Sequence, residues 1–318
     1  MLRNHYGSAI VGLLAVGLFV APAAAEEDPR GGSGSSKAAD NIGSPQVSAS
    51  SETAGVWTEE RMAAAVEAGP SEPTYGPTTL PEPGPKGSAD GVLPTEPRPL
   101  DIHSMSGRVF FVDDRGEDHS CSGSTVNSGN KRLVFTAGHC VHGGAGRDWF
   151  DVDEWIFVPN FHSGSPHGQW HAYQLWTKTG WIDGDRAYDV AAVLMQPKDG
   201  VQIVDAVGGQ GIRWGYGYGL DIYMFGYPAD PPFDGSGLYY CSGTTWDESG
   251  FPTLGCNMTG GASGGPWLHE YNGESWSYLN GVNSWMFWVD DPTQVYKWQS
   301  PYFSHDTAGS LFEEVGDL

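Results

Sequence analysis

The stretch MTGGASGGPW, Met258 to Trp267, sets one serine, Ser263, among four glycines. Glycine enters positive-φ backbone without steric cost, so this segment can turn sharply and bring main-chain N–H groups together beside the hydroxyl. Ser263 is therefore a candidate nucleophile. A hydroxyl is weakly nucleophilic at neutral pH, so it needs a base within hydrogen-bond reach and a third group to orient that base. Upstream, LVFTAGHC, Leu133 to Cys140, ends an apolar strand-like run on His139 beside Cys140. Between the two, YDVAAV places Asp189 directly before the apolar run Val190 to Met195, whereas Asp183 and Asp185 flank Gly184 and read as turn residues. His139 as base and Asp189 as its orienting carboxylate complete a set suited to covalent acyl transfer.

The texture around these motifs is that of a many-stranded protein. After Leu100, short β-branched and aromatic runs alternate with Gly, Asp, Asn and Pro, which is the pattern of antiparallel sheet rather than helix. Strands are predicted at Arg108–Val112, Lys131–Thr136, Trp155–Val158, Trp170–Trp176, Val190–Met195, Asp221–Tyr227, Leu238–Ser242 and Ser277–Trp285. A short terminal helix is expected within Ser304–Glu314.

TAGHC around His139, YDVAAV around Asp189 and GGASGGP around Ser263, in that order and 50 and then 74 residues apart, resemble the three signatures of the chymotrypsin-like (trypsin-like) serine protease superfamily. The likeness runs from about Ile102 to the C-terminus and is nearest to secreted bacterial trypsin-like and glutamyl-endopeptidase-like proteases. It implies an all-β fold of two antiparallel six-stranded barrels with the active site in the cleft between them. It also implies an oxyanion hole made by the N–H groups of Gly261 and Ser263. No cofactor is required by such chemistry, and a monomer acting on protein or peptide substrates is expected.

Four cysteines permit three pairings, between which spacing alone does not choose. The resemblance selects Cys121 with Cys140, beside the histidine, and Cys241 with Cys256, before the serine segment. It also marks two departures from the animal digestive branch. Ala262 stands where that branch has the aspartate that pairs with a newly cut N-terminus, so that activation switch should be absent. Asn257, six residues before Ser263, occupies the pocket floor where an aspartate would select Lys or Arg. Ser284, Trp285 and Met286, in GVNSWMF, align with the strand that pairs with substrate backbone and lines the primary pocket. Asn283 stands where some glutamate-specific relatives place a histidine.

The N-terminus carries Arg3, an apolar run Ala9–Val20 and then Ala23, Ala24 and Ala25 before Glu26, which reads as a secretory signal peptide cut after Ala25. The run falls short of the roughly 20 residues that cross a bilayer as a helix. From 26 to 100 the chain is rich in Gly, Ser, Ala and Pro, with nine prolines between Gly69 and Pro99, and is expected to be a disordered pro-segment or linker. Within it Thr58 can cap a helix begun by Glu59 and Glu60 and continued to Glu67. The protease-like domain is then 101–318.

A net charge of −23, with ten Lys and Arg after residue 100, argues against nucleic acid or an anionic membrane as partner. His162, His167 and His171 read as a surface loop rather than a zinc site, because no cysteine or carboxylate stands at ligand spacing. Asp113, Asp114, Glu117 and Asp118 read as a solvated acidic loop rather than a calcium site. Two rival functions use the same fold: a catalytically silent secreted binding protein with Trp-rich loops, and an esterase using the same three residues. Three intact catalytic positions with their glycines weigh against the first.

Overall fold

The computed structural model describes residues 37–47, 57–68, 104–162, 165–271, 277–288 and 295–318. Six strands close the first barrel. They are β1 Ser106–Val112, β2 Asp118–Val126, β3 Leu133–Thr136, β4 Ile156–Pro159, β5 Trp170–Lys178 and β6 Ala191–Met195. β1 pairs with β2 and β4, β3 with β2 and β6, and β5 with β4 and β6, all antiparallel, so the six strands close into a ring. Alternate side chains point inward. Val109, Phe111, Cys121, Phe135 and Phe157 fill the interior, while Phe110, Ile156 and Val158 form a separate apolar cluster.

The second half is built from β7 Asp221–Gly226, β8 Tyr239–Thr244, β9 Phe251–Gly255, β10 Pro266–His269, β11 Tyr278–Val282, β12 Trp285–Trp288 and β13 Val295–Gln299. β8, β7, β10 and β11 form one antiparallel run, and β9, β13 and β12 another. β11 passes into β12 through Asn283 and Ser284, which joins the two runs on one side. On the other side β8 lies against β9, and the disulfide from Cys241 on β8 to Cys256 just past β9 staples that seam. The two sheets of the second half are thus tied together by covalent chemistry where ladder pairing stops.

The strand that sequence reasoning missed in the first barrel is β2, whose DHSCSGSTV composition is poor in β-branched and aromatic residues. Its pairing on both sides, not its propensity, makes it a strand. The predicted run Ser277–Trp285 is in fact two strands, β11 and β12, broken at Asn283. The terminal helix is Ser310–Gly316, preceded by a wide turn at His305–Gly309, and buries Leu311 and Val315 in the core of the first barrel.

Two pieces of the stretch expected to be disordered are ordered and packed. Asn41–Gly43 pairs with Trp176–Lys178 at the end of β5. Thr58 does cap a helix, accepting from the Arg61 N–H, but it spans only Glu59–Ala64. Composition gave no sign of this docking because the surrounding Gly, Ser and Pro dominate the average, while the decisive apolar residues, Trp57 and Met62, are few. The signal-peptide reading lies outside the described residues.

Candidate active site

His139 sits on a single 3₁₀ turn, Gly138–Cys140, directly after β3. The turn is held by the Cys121–Cys140 disulfide, whose pairing is the one the resemblance implied. Asp189 ends a second 3₁₀ turn, Arg186–Tyr188, just before β6; the neighbouring Asp185 is indeed a turn residue, capping the Ala187 N–H. Because β3 and β6 are paired, the two turns meet at one end of the barrel.

Asp189 is 0% exposed and accepts three hydrogen bonds. Oδ1 receives the backbone N–H of His139 at 2.8 Å, and Oδ2 receives His139 Nδ1 at 2.8 Å. The Ser284 hydroxyl donates to the same Oδ2 at 2.6 Å. The carboxylate therefore fixes both the position of the His139 backbone and the tilt of its ring. It also favours the tautomer with its proton on Nδ1, which leaves Nε2 as the acceptor. Nε2 is buried and has no hydrogen-bond partner among the described residues.

Ser263 lies on the loop between β9 and β10 and is 1% exposed; His139 is 5% exposed. Two glycines of this loop have backbone that a side chain would break. Gly261 has φ +86°, and a Cβ there would come within 2.7 Å of the Tyr227 carbonyl oxygen. Gly264 has φ +77°, and its Cβ would meet Thr136 Oγ1 at 2.0 Å. Among the described residues neither the Gly261 N–H nor the Ser263 N–H donates a hydrogen bond, so both donors beside the hydroxyl are uncommitted.

The loop is braced from across the cleft by Ser122 of β2, a residue sequence reasoning overlooked. Its backbone N–H donates to the Ser263 carbonyl at 2.7 Å, its hydroxyl donates to the Gly261 carbonyl at 2.8 Å, and the same hydroxyl accepts the Tyr227 N–H at 2.9 Å. Its place one residue beyond Cys121 was the available signal. Asn283, considered for specificity, is instead a fully buried brace. Its amide nitrogen donates to the carbonyls of Phe225 and Ala262, and its amide oxygen accepts from Trp267 Nε1.

The residues expected at the primary pocket are spread over several roles. The Ser284 side chain is turned to Asp189. Trp285 is half-buried at the start of β12, with the Arg186 guanidinium 5.8 Å from its ring; burial lowers the Arg186 pKa. Met286 is paired with Trp298 of β13, which is buried and donates its indole N–H to the Met258 carbonyl at 3.0 Å. Trp298 thus links the wall that carries Met286 to the segment leading into Ser263, and no local pattern announced it. Asn257 is half-buried on that segment.

The acidic loop is committed to arginines: Arg147 binds Asp113 and Asp114, and Arg61 binds Asp118. Among the described residues, the groups close enough to share an ion are Asp113, Glu117 and His119, and the disulfide-linked Cys121 and Cys140 with His139. The three loop histidines are not among them.

A closed six-stranded barrel carrying a buried His–Asp pair, beside a second half of two antiparallel sheets carrying a glycine-framed serine, fits the chymotrypsin-like class of hydrolase fold. Among solved structures the chain is similar to the protease Anisep from Arthrobacter nicotinovorans, at 32% identity and TM-score 0.63 over 69% of this chain and 99% of that one. It is also similar to the thermostable serine protease AL20 from an extremophilic microorganism, at 32% identity and TM-score 0.62 over 68% and 98%. No family model and no curated protein matches the chain. On these likenesses the chain belongs to the bacterial chymotrypsin-like serine proteases.

Proposed function

We propose that the chain is a secreted serine endopeptidase that cleaves peptide bonds through an acyl-enzyme. Ser263 Oγ attacks the scissile carbonyl carbon as its proton passes to His139 Nε2. Asp189 holds the imidazole tautomer and stabilises the imidazolium that forms. The Gly261 and Ser263 N–H groups receive the oxyanion. The carbon–nitrogen bond then breaks as His139 returns the proton to the leaving amine, and water repeats the sequence to free the acid. The observation that carries this reading is the buried Asp189 carboxylate, bound at once to the His139 backbone, the His139 ring and Ser284.

The proposed organisation is a signal peptide over 1–25, a pro-segment over 26–100 and a protease domain over 101–318, acting as a monomer outside the cell. Two disulfides suit an oxidising compartment. A fluorophosphonate probe should label the released enzyme on Ser263, and Ser263→Ala should remove both label and peptide hydrolysis. Undiminished labelling of that variant would refute the nucleophile. Hydrolysis of simple esters without peptides would favour the esterase.

A further inference from the structure

Residues 57–68 run across the outside of the first barrel and end in the cleft. Trp57 is 1% exposed and packs against Phe110, the tilted rings 5.5 Å apart. Its indole N–H donates to the Glu154 carbonyl at 2.8 Å, and its own carbonyl accepts from Gln169 Nε2 at 2.5 Å. Met62 and Ala65 join it over Phe110, Ile156 and Val158. Those three barrel residues alternate with the inward-facing ones, so they point outward, and this segment is their apolar cover. Arg61 lies 3.9 Å over the Trp57 ring and reaches Asp118 and Glu154 at 2.7 and 2.8 Å.

Beyond this anchor the segment becomes a strand. Val66 and Glu67 pair with His119 and Ser120 of β2, and the Ala68 N–H donates to the Ser120 carbonyl at 2.9 Å. The β2 edge at these residues is otherwise free, since β3 pairs only from Ser124 onward. It is also next to the nucleophile, because Ser122, two residues along, holds the Ser263 carbonyl. On the opposite wall Glu67 presses on Gly260, where a Cβ would lie 2.4 Å from Glu67 Cγ. The strand therefore spans the cleft between the two barrels, one residue short of the Gly261 N–H.

Chain direction decides what this occupant does. The pairing is parallel, so the segment runs toward Ser263 as its numbering rises. The leaving-group half of a substrate begins at Ser263 and runs away from it. On this edge it would have to lie antiparallel to β2. We propose that residues 57–68 are an inhibitory strand that fills the leaving-group side of the cleft in the reverse direction of a substrate. Its hydrogen bonds imitate substrate pairing, as in strand addition to a free edge, while its polarity presents no bond for attack. The Trp57 socket supplies the affinity from outside the catalytic centre. This rests on the reading of Ser263 as the nucleophile.

The test uses the full chain with a recognition site for an unrelated protease inserted between residues 69 and 103. Intact mass verifies the uncut and cut forms, and an internally quenched peptide spanning both sides of the scissile bond reports turnover. Cutting followed by removal of the released N-terminal piece should raise hydrolysis at least about tenfold, the scale of losing a buried tryptophan anchor. Synthetic peptide 57–68 added back should restore slow turnover, whereas the same peptide with Trp57→Ala should not. Ala68→Pro in the uncut chain, which deletes the N–H donated to Ser120, should itself raise turnover. If the freed enzyme labels with fluorophosphonate yet turns over no faster than the uncut chain, the inhibitory role is overturned and the protease reading stands. If the freed enzyme neither labels nor cleaves, the protease reading has failed instead.

Discussion

Replacing Ser122 with Ala removes one oxygen that serves two buried backbone groups, the Gly261 carbonyl at 2.8 Å and the Tyr227 N–H at 2.9 Å. Each is left without its partner, at about 1–3 kcal/mol for a buried unsatisfied group. The expected loss of unfolding free energy is therefore about 2–4 kcal/mol, less than the simple sum if the loop relaxes. The same change frees the Gly261 side of the serine loop while the Ser122 backbone still holds Ser263. If the oxyanion donors lose a third to a half of the ~3–4 kcal/mol that one such donor supplies, kcat falls about tenfold with KM little changed. Stability is read by urea unfolding in a Ser263→Ala background, which prevents self-digestion, and kcat in the active chain after release of its N-terminal segment. Ser124→Ala is the internal control: the same strand, the same buried hydroxyl, but no hydrogen-bond partner among the described residues. That variant should be neutral or slightly stabilised. A Ser122→Ala chain that unfolds and turns over like the Ser124→Ala chain would refute the bracing argument.

Breaking the Cys241–Cys256 bridge with paired serines should cost about 3 kcal/mol for a loop of 15 residues, read as a lower urea midpoint, because it opens the seam between β8 and β9 that has no ladder to replace it. Docking of the 57–68 strand should weaken as pH rises. The Glu67 pKa is raised, chiefly by burial and further by Asp230, against a backbone hydrogen bond and Arg108 that act in the opposite direction. A carboxyl raised above its free value contributes fully below that free value, about 4.3, and loses the contribution as pH climbs through the docked one. Hydrolysis by the cut, undiluted chain measured from about pH 4 upward should show this release superimposed on the catalytic profile, and Glu67→Gln should remove it.

The proposed chemistry was legible in short words of sequence because the geometry it needs is local. A glycine before and after Ser263, a histidine ending a strand and an aspartate opening one each depend on backbone reach over a few residues. Their order along the chain then identified the fold. The Thr58 cap was readable for the same reason, as a side chain bonding a backbone three residues away. What the words could not carry was register. Ser122 and Ser124 look alike in HSCSGSTV and lie on the same strand face, yet the Ser122 hydroxyl holds the serine loop while the Ser124 hydroxyl has no hydrogen-bond partner among the described residues, because only the tertiary fold decides which point along that face meets the loop. Asn283 and Ser284 read as pocket residues and became a brace and a partner of Asp189 because both lie in the break between β11 and β12. Trp57 and Met62, lost in a Pro- and Gly-rich average, acquire meaning only against the outward apolar face that alternating residues of β1 and β4 create. Sequence alone set the proposed reacting groups, since each is framed by a short local motif; tertiary structure alone set their supports and the proposed occlusion, since those are contacts between residues that only folding makes neighbours.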